Sequence, residues 1–302
     1  MKLDRVLIGL CATFIYLGIC NSAATATNIA LKSEAPITLP GPAGSIDFMG
    51  VDDSMNRILA AHRGAKTLEV IDLNTGKLIA PVAVGDAQGV AVDKKEHRYF
   101  LGNEGDHSVV FVDSKTLMKT AEVKLDGPVD AIAFNDKIGQ LYAAQDDGDK
   151  LWVIDPKTAK VTMTIKIPGV PEVLEYDATW TTAPAVSPHG LVVDSSRGRI
   201  YIAGGKGKLV AIDFKTGKIV SSVDIAVGAD QIAYDAKSSL IYSACKGFIS
   251  VTKATEKGLE VVGNVTSPKG AHTLAVDPKT HDVWVSFSDK EHSYVQKFSP
   301  IL

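Results

Sequence analysis

The sequence predicts an all-β protein, a six-bladed β-propeller with four-stranded blades whose last blade is closed by a strand from the N-terminal side. Three observations carry this expectation. A short phrase, a polar head followed by four mostly small or apolar residues and then Asp or Asn, recurs six times. The β-branched and aromatic runs that follow each head keep step with it, as strands of one repeated unit do. The chain also has one strand too many near its start and one too few at its end.

The heads are DFMGVD from Asp47, QGVAVD from Gln88, DAIAFN from Asp130, HGLVVD from His189, DQIAYD from Asp230 and HTLAVD from His272. Their spacings are 41, 42, 59, 41 and 42 residues. A four-stranded propeller blade repeats at ~40–45 residues, so four intervals hold one blade each. The interval of 59 exceeds one blade by about 17 residues and is too short for two, which fixes the count at six.

Each element has a local reason. Residues 1–26 place Lys2 and Arg5 before an apolar run from Val6 to Ile19 and end on Ala24-Thr25-Ala26, the pattern of a secretory signal cleaved after Ala26. The run is shorter than the ~20 residues of a membrane span, which leaves a retained anchor as the alternative. Residues 27–36 read as a linker, and 37–302 as a single propeller domain opening with the isolated strand Ile37-Thr38-Leu39. Second strands read RILAAH, RYFLGN, QLYAAQ, RIYIAG, LIYSAC and DVWVSF, and third strands end in Asp72, Asp113, Asp155 and Asp213. Only 30 residues separate His272 from Leu302, so the sixth blade runs out after SYVQKF. The isolated strand near Ile37 supplies its missing edge, since closing the ring from both ends protects sheet edges.

Composition excludes several function classes. At 45% hydrophobic and 22% charged the chain is an ordinary globular one, not a disordered one. Loss of Lys2, Arg5 and Asp4 with the signal takes the net charge from −3 to −4, which advertises no nucleic-acid surface. Cys11 and Cys20 lie in the signal, so Cys245 is alone in the mature chain and no internal disulfide can form. In the run LIYSAC it reads as a buried small hydrophobe. No Gly-rich phosphate loop, nucleophile elbow or CxxC motif is present, and QDDGDK lacks the later Glu of a calcium loop.

The repeats resemble the YVTN-type β-propeller proteins exported by bacteria. The resemblance runs from about Ser45 to the C-terminus and is carried by the heads and by IDLNTGKLIAPVAVG, VIDPKTAKVTMTIKI and AIDFKTGKIVSSVDIAVG. It implies a periplasmic or secreted propeller, and it leaves function open because one fold hosts many.

Candidate chemistry follows from the geometry of a propeller, in which the first strand of each blade lines the central channel. Asp47, Gln88, Asp130, His189, Asp230 and His272 then stand around one mouth. Two imidazoles and three carboxylates make Asp47, Asp130, His189, Asp230 and His272 a candidate metal set, suited to zinc, manganese, iron or copper more than to calcium. The alternative is that strand heads are polar because water reaches them. Gln88 and His107, together with Tyr176 and Trp180 of the insertion PGVPEVLEYDATWTTAPAVSP, are candidate ligand contacts, with the insertion as a lid over the mouth or as a plain spacer. The second row, Asp52, Asp93, Asn135, Asp194, Asp235 and Asp277, is assigned to turn structure.

SPHGLVVD and ADQIAYD also resemble ligand segments of the six-bladed lactone hydrolases of the gluconolactonase and senescence-marker type. That resemblance implies a divalent cation near His189 and Asp230, with Asp47 near the family's Glu. It departs in having His where that family has Asn and in lacking its Glu-Gly-Pro phrase. The expectation is therefore an exported monomeric binding protein holding a small ligand or a divalent metal. The alternatives are a metal-dependent lactone hydrolase or lyase, with Asp230 or Asp130 as base, and a metal-free platform for a protein partner.

Overall fold

Twenty-five strands and no helix make up the computed structural model, which describes residues 31–166 and 182–301. After β1 (Leu31–Ser33) and β2 (Ile37–Thr38), blade 1 consists of β3 (Ile46–Asp52), β4 (Arg57–His62), β5 (Thr67–Asp72) and β6 (Leu78–Ala83). Blade 2 is β7 (Ala87–Asp93), β8 (Arg98–Asn103), β9 (Ser108–Asp113) and β10 (Lys119–Lys124). Blade 3 is β11 (Val129–Asn135), β12 (Gln140–Gln145), β13 (Lys150–Asp155) and β14 (Lys160–Lys166). Blade 4 is β15 (Pro188–Asp194), β16 (Arg199–Gly204), β17 (Lys208–Asp213) and β18 (Ile219–Asp224). Blade 5 is β19 (Ile232–Asp235), β20 (Leu240–Ala244), β21 (Phe248–Thr255) and β22 (Gly258–Thr266). Blade 6 is β23 (Thr273–Val276), β24 (Val283–Ser288) and β25 (Ser293–Pro300).

Each blade is an antiparallel meander. Inner strands of successive blades neighbour one another, β3 with β7, β7 with β11, β15 with β19, β19 with β23, and β23 with β3, so that the last blade meets the first. The all-β fold with six four-stranded blades is the one expected from the repeats.

Closure of blade 6 uses more chain than expected. Ile37 and Thr38 pair with Val295 and Tyr294 of β25, as the missing edge strand should. Leu31–Ser33, inside the segment read as a linker, also pairs with β25, opposite Pro300 to Phe298. The linker reading of 27–36 is corrected there: a free β25 edge offers unpaired backbone groups, and the chain that reaches it pairs with them. Leu31 is buried with Phe298 and Val283, which gives the strap an apolar anchor.

Apolar faces of neighbouring blades meet to form the core. Leu59, Leu68 and Val70 of blade 1 pack on Val90, Leu101 and Val110 of blade 2, and Trp284 of blade 6 packs with Ile46 and Ile58 of blade 1. Cys245 is buried with Ala229 and Ile241, and burial pushes its thiol pKa up.

The second-row residues enter the turns between first and second strands. Asp52 accepts from the Ser54 and Met55 amides, Asp93 from Glu96, Asn135 from Lys137, Asp194 from Ser196, Asp235 from Lys237 and Asp277 from Lys279. Several also reach the next blade. The Tyr99 hydroxyl donates to Asp52 at 2.9 Å, and the Tyr234 hydroxyl donates to Asp194 at 2.8 Å. His281 Nδ1 lies 2.8 Å from Asp235. Turn residue and inter-blade staple are thus one carboxylate.

Candidate functional site

The heads do not sit in regular ladder. In blades 1 to 4 the pairing of first and second strands slips between Ile46 and Met49, Ala87 and Gly89, Val129 and Ile132, and Pro188 and Gly190. Asp47, Gln88, Asp130 and His189 all fall inside these slips, so each head is carried by a β-bulge, a device that re-aims a side chain at a sheet's end. Asp230 and His272 precede β19 and β23 and lie outside the strands. The six positions are equivalent in sequence and come in two structural kinds.

A glycine follows the head in blades 2 and 4. A Cβ on Gly89 would stand 2.6 Å from the Asp130 carbonyl oxygen, and one on Gly190 2.5 Å from that of Asp230. The neighbouring inner strands can approach this closely only without that side chain.

Charge at the mouth is organised by Arg63, in the turn between β4 and β5. Its guanidinium donates from Nη1 to Asp47 at 3.0 Å, from Nε to Asp86 at 3.0 Å, and from Nη2 to Glu104. Burial alone would lower the guanidinium's pKa, but the Asp86 and Asp47 carboxylates outweigh it and raise the pKa beyond its ordinary value. Gln88 Nε2 donates to Glu104 at 2.8 Å and to Asp146 at 3.4 Å. One cation therefore faces three carboxylates, and an amide ties in a fourth.

The acidic character continues over blades 2 and 3, where Asp106, Asp126, Asp130, Asp146, Asp147 and Asp149 lie at the same end. Lys150 pairs with Asp126 and Lys166 with Asp149. Among the described residues Asp106, Asp146 and Asp147 are in no ion pair. Across the ring, the corresponding loops of blades 4 and 5 present Lys206, Lys246 and Lys269, all exposed.

The five expected metal ligands do not form a metal-holding group of three or more. Among the described residues no group of three or more His, Cys, Asp or Glu side chains is placed to hold a metal ion. Asp47 is turned to Arg63 instead, and His272 Nδ1 lies 2.8 Å from the carbonyl oxygen of Gly270. Half-buried Asp130 and His189 stand in the bulges of their own blades, and half-buried Asp230, its N–H donating to Ala244 O at 3.1 Å, stands ahead of β19. The candidate bases Asp130 and Asp230 thus belong to blades 3 and 5.

His107, a candidate ligand contact, lies exposed at the turn between β8 and β9 with φ +47. Its N–H donates to Glu104 O and its carbonyl accepts from Leu125, so its main chain shapes the acidic loop. Tyr176 and Trp180, with the expected lid, lie outside the described residues.

Gln231, next to head Asp230, is a position that sequence reasoning passed over. Its Nε2 donates to Met49 O at 3.3 Å, and its Oε1 accepts from Leu274 N–H at 3.2 Å. One side chain of blade 5 thereby spans blade 6 to reach blade 1. The readable signal is that Gln231 breaks a column occupied otherwise by Phe48, Gly89, Ala131, Gly190 and Thr273.

Fold and site together define a six-bladed β-propeller whose mouth is an ion-pair and amide network. The chain belongs to the family described as Domain of unknown function (DUF5074), whose model matches residues 23–253. Among solved structures it is similar to the RRP9 WD40 repeats, at 9% identity and TM-score 0.75, covering 90% of this chain and 100% of that one. It is similar to a chain of Kuenenia stuttgartiensis hydrazine synthase, at 13% identity and TM-score 0.71, covering 86% and 96%. It is also similar to U3-55K, at 9% identity and TM-score 0.70, covering 87% and 98%. At these identities the likeness is one of fold. No curated protein matches the chain.

Proposed function

We propose that this protein is an exported binding platform whose propeller mouth, over blades 1 to 3, recognises a cationic segment of a protein partner. The observation that carries the reading is the cluster of carboxylates on the loops of blades 2 and 3, which persists although Lys66 and Lys124 also stand at this end. Arg63, the guanidinium at this mouth, is already held by Asp47, Asp86 and Glu104, so it cannot neutralise Asp106, Asp146 and Asp147 as well. Exposed Asp106 and Asp147, with half-buried Asp146 beside Gln88, are grouped on loops of a rigid scaffold, where they favour a cationic partner through long-range attraction and orient it on approach. Lys206, Lys246 and Lys269 opposite would repel the same segment, giving the partner one orientation. The WD40-repeat fold neighbours support a platform role. The signal-like residues 1–26 and the YVTN-type repeat phrases support export.

The test uses a lysine-rich peptide as probe. Binding to the mature protein is expected at low ionic strength and should weaken steeply toward 0.5 M salt, as charge attraction is screened. Replacing Asp106, Asp146 and Asp147 together by Asn should abolish it, and Asn suits the φ of +51 at Asp147. Neutralising Glu96, Asp136 and Glu256, at the opposite end of the blades, should leave it unchanged. Equal loss in both variants, or no binding at low salt, overturns the proposal.

A further inference from the structure

The axial channel widens into a cavity of about 240 Å³ walled by the inner strands of blades 1, 4, 5 and 6. Among the described residues, the fourteen that line it include no ionisable acid or base other than Tyr234, whose hydroxyl is already bonded to Asp194. Ala233 on this wall is small and half-buried, whereas Ala275 is buried with Met49 and Trp284 and a Cβ on Gly50 would meet Val90 of blade 2. Phe48, Leu191 and Tyr234 line it while remaining only half-buried, so apolar surface there is left to water.

Gln231 is the polar group of this wall. An amide can donate twice and accept twice, and Gln231 spends one donor on Met49 and one acceptor on Leu274. One N–H and one acceptor site remain. A mostly apolar wall with a single fixed hydrogen-bonding group is the composition of a small-molecule site.

We infer that the axial cavity binds a compact, uncharged, largely apolar ring compound carrying one hydrogen-bonding group, which lies against Phe48 and Leu191 and bonds the spare amide positions of Gln231. The size follows from volume, since an apolar cavity of ~150 Å³ holds benzene and this one admits a ring of on the order of ten non-hydrogen atoms. Charged ligands are excluded, because the wall offers no counter-charge to a desolvated ion. This site is separate from the acidic loops and does not depend on their having a partner.

The experiment follows methyl resonances of Leu191, Leu274 and Val276 in the mature protein during titration with indole, phenol, toluene and benzoate. Indole and phenol should give saturable shifts at these methyls, toluene should bind about tenfold more weakly than phenol, and benzoate should not bind. Ala233→Leu, which fills the cavity, should abolish the shifts, and Gln231→Met should remove the preference of phenol over toluene. Should Ala233→Leu fail to fold, xenon titration of the native protein reports the cavity without any variant. Absence of saturable shifts, binding that survives filling, or benzoate binding as well as phenol overturns the inference.

Discussion

Gly190→Ala tests how closely the inner strands are fitted. The new Cβ would lie 2.5 Å from Asp230 O, 2.9 Å from Ile232 Cγ2 and 3.0 Å from Ile232 N. The closest of these is half an ångström inside the 3.0 Å below which real Cβ contacts essentially do not occur. Two of the three atoms are backbone, and that backbone is tethered: Asp230 N–H donates to Ala244 O, and Gln231 N–H donates to His272 O. Overpacking against atoms that cannot swing aside costs ~1–3 kcal/mol. Restricting the unfolded chain returns ~0.4–1 kcal/mol, so a net loss of about 1–2 kcal/mol is expected. Gly205→Ala is the control, since its Cβ would meet nothing nearer than 3.7 Å. Equilibrium urea unfolding of both variants measures the difference, with an unchanged m-value showing that it belongs to the folded state. If Gly190→Ala is as stable as Gly205→Ala, the claim that glycine permits the close blade approach is wrong.

Burial would raise the Asp194 pKa, yet bonds from Ser196, Arg197 and Tyr234 hold it well below the usual carboxylate range. Its contribution to stability is therefore present above the unfolded pKa near 4 and is lost as pH falls from there toward the folded value. Asp194→Asn should cost roughly 2–4 kcal/mol at pH 7, with the deficit shrinking below pH 4, as followed by thermal unfolding against pH. A pH-independent deficit would contradict the assignment. Arg63→Met leaves Asp47, Asp86 and Glu104 facing one another without their cation. With these side chains about a third exposed, the expected loss is ~1 kcal/mol, and added salt should restore stability to the variant more than to the native protein. A variant with the same salt response as the native protein refutes the hub. Removing the chain through Pro40 uncovers β25, so the truncated protein should melt earlier and self-associate in light scattering. A monomer of native melting temperature would show that β1 and β2 contribute nothing to closure.

What the sequence made legible was whatever the repeat enforces. A fixed period with turn residues in register forces six meanders, and a blade short of one strand forces a strand from elsewhere to complete it. The second-row carboxylates were legible because an Asp or Asn that starts a turn satisfies local amides in the same way each time. Leu31–Ser33 escaped notice because three residues after a signal carry too little alternation to read as a strand. Tyr99 and Tyr234 as inter-blade donors escaped notice because their partners, Asp52 and Asp194, lie 47 and 40 residues away.

The strand heads show what the repeat period alone does not convey. Equivalent positions in a repeat were taken to be equivalent positions in space, and a β-bulge breaks that step by adding one residue to one strand. In blades 1 to 4 the bulge re-aims the head, while in blades 5 and 6 pairing begins only at Ile232 and Thr273, beyond Asp230 and His272. Charge balance then decides what each carboxylate does. Asp47 meets Arg63, delivered to it by the adjacent turn of its own blade, at 3.0 Å. A covalently tethered cation forms that contact without a second molecule having to bind. Of the carboxylates outside its reach, Asp106 and Asp147 are exposed, while Asp146 accepts from Gln88.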